Sequence, residues 1–352
     1  MTIESSGHRR GRRGQSARKP QWLKVKPPAP RQFRATGALL DELELHTVCG
    51  EARCPNKGEC FASGTATFLI LGDTCTRSCR FCAVGRAPAA TAQPPSGGLG
   101  ATLPVDPDEP RRVALAAARL GLQHVVITSV TRDDLPHGGA THFAAAIANV
   151  REAVPSATVE VLIPDLGGDD AALRAVLAAR PDVLNHNLET VPRLYAQVRP
   201  QARYLRSLEL LRRASEWARG TNLFPARGRD VPASSYRRPL VKSGLMVGLG
   251  EAEEEVLSVL RDCAESGVDV VTIGQYLQPQ RHCLPVARYV EPEEFERYQR
   301  SGDDIGLKVI AAPFVRSSYR AGEALRQADA AAGPATAAPA SSAVRRPPAA
   351  RA

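Results

Sequence analysis

Six of the eight cysteines in this 352-residue chain fall into two triplets. The second triplet, Cys75, Cys79 and Cys82, has the spacing C-x3-C-x2-C within one short segment. A loop this tight can point three thiols at one centre, but it cannot easily pair them as disulfides. Structural zinc usually takes four protein ligands, and the fourth is absent nearby. A [4Fe–4S] cluster also has four corners, so three thiolates would leave one iron open to a cofactor or substrate. We therefore predict an open iron–sulfur cluster, with zinc as the alternative.

The first triplet, Cys49, Cys54 and Cys60, has the spacing C-x4-C-x5-C and again lacks a fourth ligand nearby. Cysteine clusters beside a basic arm also suggest a zinc-type nucleic-acid-binding module. Neither triplet has zinc-finger spacing, however, and the aromatic residues are not interleaved with basic residues as a base-stacking surface requires. We therefore do not expect nucleic acid as a partner.

The positive charge of the chain is concentrated at its N-terminus. Residues 1–35 carry ten Lys or Arg and one acid, which equals the net charge of +9 for the whole chain. Residues 1–17 are predicted to be a disordered basic arm, and 329–352 a low-complexity tail. No apolar run is long enough for a membrane span or a secretory signal, so we expect a soluble, cytoplasmic protein without a membrane partner. The organelle matrix is the alternative if the basic N-terminus is a transit peptide.

Apolar runs alternate with amphipathic helical segments over most of the chain, which predicts βαβ units and a parallel sheet. Six such units are fewer than the eight of a complete barrel. The predicted fold class is therefore α/β, with a partial (β/α)6 TIM-type barrel whose chemistry lies at the C-terminal ends of the strands. The six predicted strands are TFLIL (67–71), HVVITSV (124–130), TVEVLIP (158–164), DVLNHNLE (182–189), SGLMVGLG (243–250) and DVVTIGQYL (269–277).

Polar residues follow the C-terminal end of each predicted strand, and we expect them to converge on one rim of the barrel. They are the second cysteine triplet, TRDDLPHGG at 131–139, Asp165, Asn187, Glu189, Glu251, Gln275 and Gln278.

A C-x3-C-x2-C motif after the first strand of a partial barrel resembles the radical S-adenosylmethionine (SAM) superfamily. The resemblance implies that the second triplet binds a [4Fe–4S] cluster whose open iron is chelated by SAM. One electron from that cluster then cleaves SAM to methionine and a 5′-deoxyadenosyl radical. Asn187 and Glu189 become candidates for hydrogen bonds to the SAM ribose, and Gly248 for packing against the adenine.

The chain also resembles the lipoyl synthase family over roughly residues 18–325. That resemblance implies an auxiliary [4Fe–4S] cluster on Cys49, Cys54 and Cys60, with Ser318 of the RSSY motif as its fourth ligand. Arg316 is a candidate for orienting the carrier or stabilising the cluster loop. The matching segments, in chain order, are RKPQWLKVK (18–26), GDTCTRSCRFCAVG (72–85), ITSVTRDDL (127–135), VLNHNLETVPRLY (183–195), KSGLMVGLGE (242–251), TIGQYLQP (272–279) and VRSSY (315–319).

The resemblance implies a sulfurtransferase that inserts two sulfur atoms at C6 and C8 of an octanoyl group carried on a lysine. The implied carriers are octanoylated lipoyl domains of 2-oxoacid dehydrogenase complexes or the glycine cleavage H protein, which the basic segment at 18–34 would suit. The auxiliary cluster would donate the sulfur. An electron donor such as ferredoxin or flavodoxin and a cluster-assembly carrier are the other implied partners.

The expected organisation is an N-terminal extension at 18–66, a radical SAM barrel at 67–290 and a C-terminal extension at 291–328. The alternative function is another radical SAM sulfur-inserting enzyme with an auxiliary cluster, which the C-x4-C-x5-C placement and the RSSY motif disfavour. The chain departs from the family at Cys283, where a histidine is usual and His282 is a possible substitute. Ala312 replaces a common glycine, and the loops at 86–104 and 219–239 look like insertions.

Overall fold

The computed structural model describes residues 19–24, 30–62, 65–87, 104–220, 224–225 and 236–318. The predicted disordered arm and low-complexity tail lie outside the described residues. So do Tyr319 of the RSSY motif and most of the two predicted insertions.

One eight-stranded sheet forms the centre of the fold, and its order is β1-β2-β5-β6-β7-β10-β11-β12. The strands are β1 (His46–Thr47), β2 (Thr67–Ile70), β3 (Thr74–Cys75), β4 (Gly85–Arg86), β5 (His124–Ser129), β6 (Thr158–Leu162), β7 (Val183–Asn185), β8 (Phe224–Pro225), β9 (Tyr236–Arg237), β10 (Leu240–Val247), β11 (Val270–Gln275) and β12 (Lys308–Ala311). From β2 to β12 all neighbours in this sheet are parallel, whereas β1 pairs antiparallel with β2. The short strands β3 and β4 pair with each other, as do β8 and β9.

Helices connect the strands and cover the sheet. They are α1 (Pro30–Glu42), α2 (Val48–Glu51), α3 (Lys57–Ala62), α4 (Glu109–Arg119), α5 (Ala140–Ala153), α6 (Asp170–Ala178), α7 (Tyr195–Val198), α8 (Tyr204–Gly220), α9 (Glu253–Glu265) and α10 (Pro292–Asp304). Their sequences explain their position, as in α9, where Val256, Val259, Leu260 and Cys263 share the buried face at helical spacing. Among the described residues, none of the helices combines the length and apolar character that crossing a bilayer requires.

The predicted α/β partial barrel is confirmed, and all six predicted strands are present. Their near-continuous apolar character reflects burial on both faces, as in β11, where all six residues are buried. The sheet also contains a seventh parallel strand, β12, within the predicted C-terminal extension. Its four residues alternate between half-buried and buried, which is the pattern of an edge strand. The sequence of β12 therefore lacks the continuous apolar run that predicted the other parallel strands.

Two strand glycines allow the C-terminal segment at 312–318 to pack directly against the sheet. A Cβ on Gly274 would lie 2.0 Å from the Val315 carbonyl oxygen, and one on Gly244 would lie 2.9 Å from Ser317 Oγ. Any larger residue would push this segment away, so β10 and β11 determine where it runs.

Candidate metal centres

The second cysteine triplet lies on a loop, residues 75–86, that we call the cluster loop. Cys75 ends β3, and its sulfur lies 3.4 Å from the backbone nitrogens of both Arg77 and Thr131. Both backbone N–H groups donate to this sulfur. On the other side of the loop, Arg86 Nη2 donates to the Cys79 carbonyl at 2.8 Å.

A buried ion-pair network holds the cluster loop on the rim of the barrel. Arg77 donates to both carboxylate oxygens of Asp133 at 2.7 and 2.8 Å and to Asp165 at 2.6 Å. Arg206 donates to the second Asp165 oxygen at 2.9 Å. Burial would raise the pKa of Asp165, but the two arginines, chiefly Arg77, hold it well below its usual range. The predicted convergence of the segments after β2, β5 and β6 is therefore present in the structure.

Burial affects the pKa of two of the three thiols on the cluster loop. Burial raises the pKa of Cys82 to about 12 and also raises the pKa of Cys79, an increase that nearby Arg199 opposes. Metal binding at such thiols has to displace their protons.

The two polar residues proposed for SAM lie at the end of β7. Asn187 Nδ2 donates to Glu189 Oε1 at 3.1 Å, and its Oδ1 accepts from Ser317 Oγ at 2.9 Å. Glu189 has a φ of +68°, which is unusual for a side-chain-bearing residue, and burial raises its pKa. A polar group in such a strained backbone position is typical of a functional site.

Arg199 lies beside Asn187 and Glu189. The sequence analysis did not identify it, because Arg199 follows the four-residue helix α7 and not the end of a predicted strand. Its Nη1 donates to the carbonyls of Asn187 and Leu188 at 2.9 and 3.1 Å. Its Nε is buried and has no hydrogen-bond partner in the described part of the chain. An anionic cofactor could accept from this buried donor.

Gly248 has a backbone reason to be glycine. Its φ is +99°, and a Cβ there would lie 2.2 Å from Gln275 Nε2 and 2.6 Å from the Arg288 carbonyl oxygen. A contact between Gly248 and adenine stays a prediction.

The first cysteine triplet lines a separate small pocket together with Arg316 and Ser318. Cys49 lies in α2 and Cys60 in α3, and the short segment between these helices carries Cys54. The structure therefore brings together all five residues that the sequence analysis proposed for the auxiliary site. Arg316 also lines this pocket, and its two proposed roles, orienting the carrier or stabilising the cluster-binding segment, stay predictions.

Two polar contacts attach the C-terminal segment to this pocket. Thr67 Oγ1 donates to Ser318 Oγ at 3.0 Å, and Asn56 Nδ2 donates to the Phe314 carbonyl at 2.8 Å. These pairs are 251 and 258 residues apart in sequence. The Ser318 hydroxyl lines the same pocket as the thiols because the C-terminal segment packs against the N-terminal region of the chain.

A buried ion pair inside the barrel supports the same segment. Lys242 Nζ on β10 donates to the two oxygens of Glu160 on β6 at 3.0 and 3.3 Å, and also to the Ser317 carbonyl. Although burial opposes ionisation, Lys242 and His124 lower the pKa of Glu160 to about 2. Lys242 lay within a matching segment of the sequence, but nothing local indicated this role.

The three thiols of the pocket differ in the direction of their pKa shifts. A hydrogen bond from Cys60 lowers the pKa of Cys49 to about 7, and the same contact together with burial raises the pKa of Cys60. Burial raises the pKa of Cys54, while Arg316 opposes that increase. Three soft sulfur donors with one cationic side chain fit an anionic iron–sulfur group. Among the described residues, no three His, Cys, Asp or Glu side chains gather around one position for a single metal ion.

Cys283 is buried and lies against the cluster loop, with its sulfur 3.4 Å from the Cys82 carbonyl oxygen. His282 is exposed. Cys283 therefore packs against the cluster loop while His282 lies at the surface, and a substitution of the usual histidine by His282 stays a prediction.

Comparison with known proteins agrees with this architecture. Residues 69–225 match the model of the radical SAM superfamily, and residues 2–54 match the N-terminal domain of lipoyl synthase of the radical SAM family. Among solved structures, methylornithine synthase is 13% identical, and the match covers 84% of this chain and 92% of that one. Its TM-score of 0.46 is too low to support a conclusion. The barrel, the C-x3-C-x2-C loop and the family match define a radical SAM protein, with SAM and [4Fe–4S] clusters as its cofactors.

Full-length relatives identify the family within that class. The lipoyl synthase of Nitratidesulfovibrio vulgaris is 54% identical over 307 residues, which cover 87% of this chain and 92% of the relative. The lipoyl synthase of Caldanaerobacter subterraneus subsp. tengcongensis is 50% identical over 307 residues, which cover 87% of this chain and 96% of the relative. The chain belongs to the lipoyl synthase family.

Proposed function

We propose that this chain is a sulfurtransferase that inserts two sulfur atoms at C6 and C8 of an octanoyl group attached to a lysine of a lipoyl carrier domain. The observation that carries this proposal is the pocket in which Ser318 joins Cys49, Cys54 and Cys60. The alternative function, another radical SAM enzyme that inserts sulfur, is not favoured, because the relatives quoted above are lipoyl synthases.

The second triplet is proposed to hold the [4Fe–4S] cluster that, when bound, supplies the electron for SAM cleavage. The protein's own part is to bind and orient SAM beside that cluster. Asn187 and Glu189 offer an amide and a carboxylate for the ribose hydroxyls, and Arg199 offers an unused buried N–H for a carboxylate. Gly248 shapes the turn that closes this side of the barrel.

The first triplet and Ser318 are proposed to hold the auxiliary cluster, which is the sulfur-donating substrate. An oxygen ligand is harder than a thiolate, so Ser318 is the ligand proposed to leave when sulfide is removed. Arg316 is proposed to balance the negative charge of the bound thiolates from its position in the pocket wall.

The proposed carriers are octanoylated lipoyl domains of 2-oxoacid dehydrogenase complexes or the glycine cleavage H protein. An acidic carrier would complement the basic segment at 18–34, of which residues 19–24 and 30–34 are described. A ferredoxin or flavodoxin and a cluster-assembly carrier complete the proposed partners, and a cytoplasmic location stays a prediction.

Anaerobic incubation of the iron- and sulfide-reconstituted protein with an octanoylated lipoyl domain, SAM and dithionite tests the proposal. We expect the intact mass of the carrier to increase by two sulfur atoms. Ser318→Ala should abolish that increase, whereas Ser156→Ala, in an exposed turn before β6, should retain it. Formation of 5′-deoxyadenosine without any sulfur on the carrier would contradict the proposed substrate.

A further inference from the structure

The cluster loop and the two segments attached to it carry an exposed basic surface that the proposed function does not use. We define this basic surface as Arg80, Arg203, Arg281 and His282, all exposed, with Leu205 beside Arg203. It is built from three segments that are distant in sequence.

Arg80 lies at the junction of the three segments. Its backbone nitrogen donates to the Val198 carbonyl at 2.8 Å, and its own carbonyl accepts from Leu284 N at 2.8 Å. The segment at 198–205, which carries Arg203, therefore lies on one side of Arg80, and the segment at 280–284, which carries Arg281, lies on the other.

Side chains reinforce both junctions. Gln201 accepts from Ser78 N at 3.2 Å and donates to Ser78 Oγ at 3.0 Å. Gln280 Nε2 donates to the Ala83 carbonyl at 3.4 Å. The basic surface is thus attached directly to the backbone that carries the second cysteine triplet.

The charge of this surface is not neutralised. The sequence contains no Asp or Glu at 74–105, 190–208 or 270–290, the stretches that supply the three segments. Within the described residues the side chains of Arg80, Arg203 and Arg281 form no ion pair, whereas Arg193, Arg212 and Arg297 each pair with a glutamate. Three uncompensated guanidinium groups on one surface attract an acidic partner.

An apolar side chain accompanies these charges. Leu205 is 76% exposed, well above the 41% of the next exposed large hydrophobic residue, Leu115. A lone apolar side chain within a basic rim is typical of small, transient interfaces, in which a buried apolar contact adds to electrostatic attraction.

The position of the basic surface decides between two acidic partners. The substrate chain has to reach SAM, and the polar groups proposed for SAM lie on the side of the thiols that faces Glu189 and Arg199. The basic surface is attached to the backbone of the cluster loop through the nitrogen and the carbonyl oxygen of Arg80. Because Arg80 directly follows Cys79 in the sequence, a protein docked there would lie next to the backbone that carries the cluster ligands, which suits delivery of an electron.

Resting on the proposed function, we propose that the surface formed by Arg80, Arg203, Arg281, His282 and Leu205 is the docking site of an acidic one-electron carrier protein that reduces the cluster on Cys75, Cys79 and Cys82.

The test compares two reductants on the reconstituted holoenzyme, with the rate of cluster reduction followed by absorbance. Photoreduced flavodoxin serves as the acidic carrier protein, and dithionite as the small reductant. In the double variant Arg203→Glu/Arg281→Glu we expect the flavodoxin concentration for half-maximal rate to rise by about tenfold at low ionic strength, because electrostatic attraction becomes repulsion. The dithionite rate should stay unchanged.

Salt and a matched variant make the result specific. With the unmodified protein the flavodoxin rate should fall as ionic strength rises, and the double variant should lose most of this dependence. Arg300→Glu on α10 is the control, because Arg300 is also exposed but lies outside the three segments. It should behave like the unmodified protein.

Two results would overturn the proposal. One is an unchanged flavodoxin dependence in the double variant. The other is a selective loss of affinity for the octanoylated lipoyl domain under dithionite, which would assign the basic surface to the carrier. Cluster reduction is measured without the carrier, so flavodoxin-dependent reduction that requires Arg203 and Arg281 supports the docking site even if no sulfur is inserted and the proposed function fails.

Discussion

Among single residues, Lys242 has the clearest structural role that the sequence did not indicate. Its ammonium group is nearly fully buried, pairs with Glu160 and donates to the carbonyl of Ser317, the residue next to the proposed ligand Ser318. A buried charge of this kind is costly unless every partner is in place. Lys242 thus connects the interior of the barrel with the auxiliary site.

Lys242→Met should destabilise the protein and loosen the auxiliary site. Loss of the ammonium leaves Glu160 buried without its main partner, which typically costs about 3–5 kcal/mol. It also removes the donor to Ser317. We expect a lower unfolding free energy in denaturant and a smaller amount of iron retained at the auxiliary site.

The double variant Lys242→Met/Glu160→Gln separates these two effects, because it removes both charges together. It should recover most of the unfolding free energy but not the retention of auxiliary iron. Recovery of both would show that Lys242 serves stability alone and does not position the C-terminal segment.

At the level of strands and helices, the position of the C-terminal segment depends on two glycines that carry no side chain. Gly274 on β11 leaves room for the Val315 carbonyl, whose oxygen would lie only 2.0 Å from a Cβ at this position. Gly244 on β10 makes room for Ser317 in the same way. The two glycines had appeared as parts of apolar strands. Only the tertiary structure shows that the RSSY segment packs directly against these two glycines.

Gly274→Ala should displace the C-terminal segment while leaving the cluster loop in place. The added methyl group would overlap a backbone carbonyl, which cannot move aside as a flexible side chain can. We expect loss of auxiliary iron and of sulfur insertion, with 5′-deoxyadenosine formation retained. The readouts are iron content and product analysis.

Gly37→Ala in α1 is the matched control. A Cβ at Gly37 meets no atom within 4 Å, and alanine is favoured over glycine within a helix by up to about 1 kcal/mol. This variant should retain both reactions. If Gly37→Ala and Gly274→Ala behave alike, the close approach of Val315 has no bearing on the auxiliary site.

Across the whole molecule, the two triplets serve separate sites that depend on different parts of the chain. The cluster loop is held by Arg77 and its carboxylate partners on the barrel rim, whereas the first triplet needs Ser318 from the other end of the described chain. Loss of one site therefore need not remove the other.

Iron counting on anaerobically prepared protein tests this separation. The unmodified chain should bind about eight irons, since each of the two cubane clusters contains four. Cys54→Ala and Cys79→Ala should each reduce the count to about four. Cys54→Ala should still form 5′-deoxyadenosine but insert no sulfur, and Cys79→Ala should do neither. A single class of cluster in the unmodified protein would contradict the two-site arrangement.

The sequence by itself determined the features that depend on near neighbours in the chain. The spacing of six cysteines predicted the ligand types, and apolar periodicity predicted six of the seven parallel strands. Resemblance to a family, rather than any local pattern, pointed to Ser318. The tertiary structure alone decided which of these residues meet. Thr67 and Ser318 are 251 residues apart, and Lys242 and Glu160 are 82 apart. No local pattern encodes such contacts, because they depend on which strands become neighbours in the sheet and on the space left beside Gly244 and Gly274.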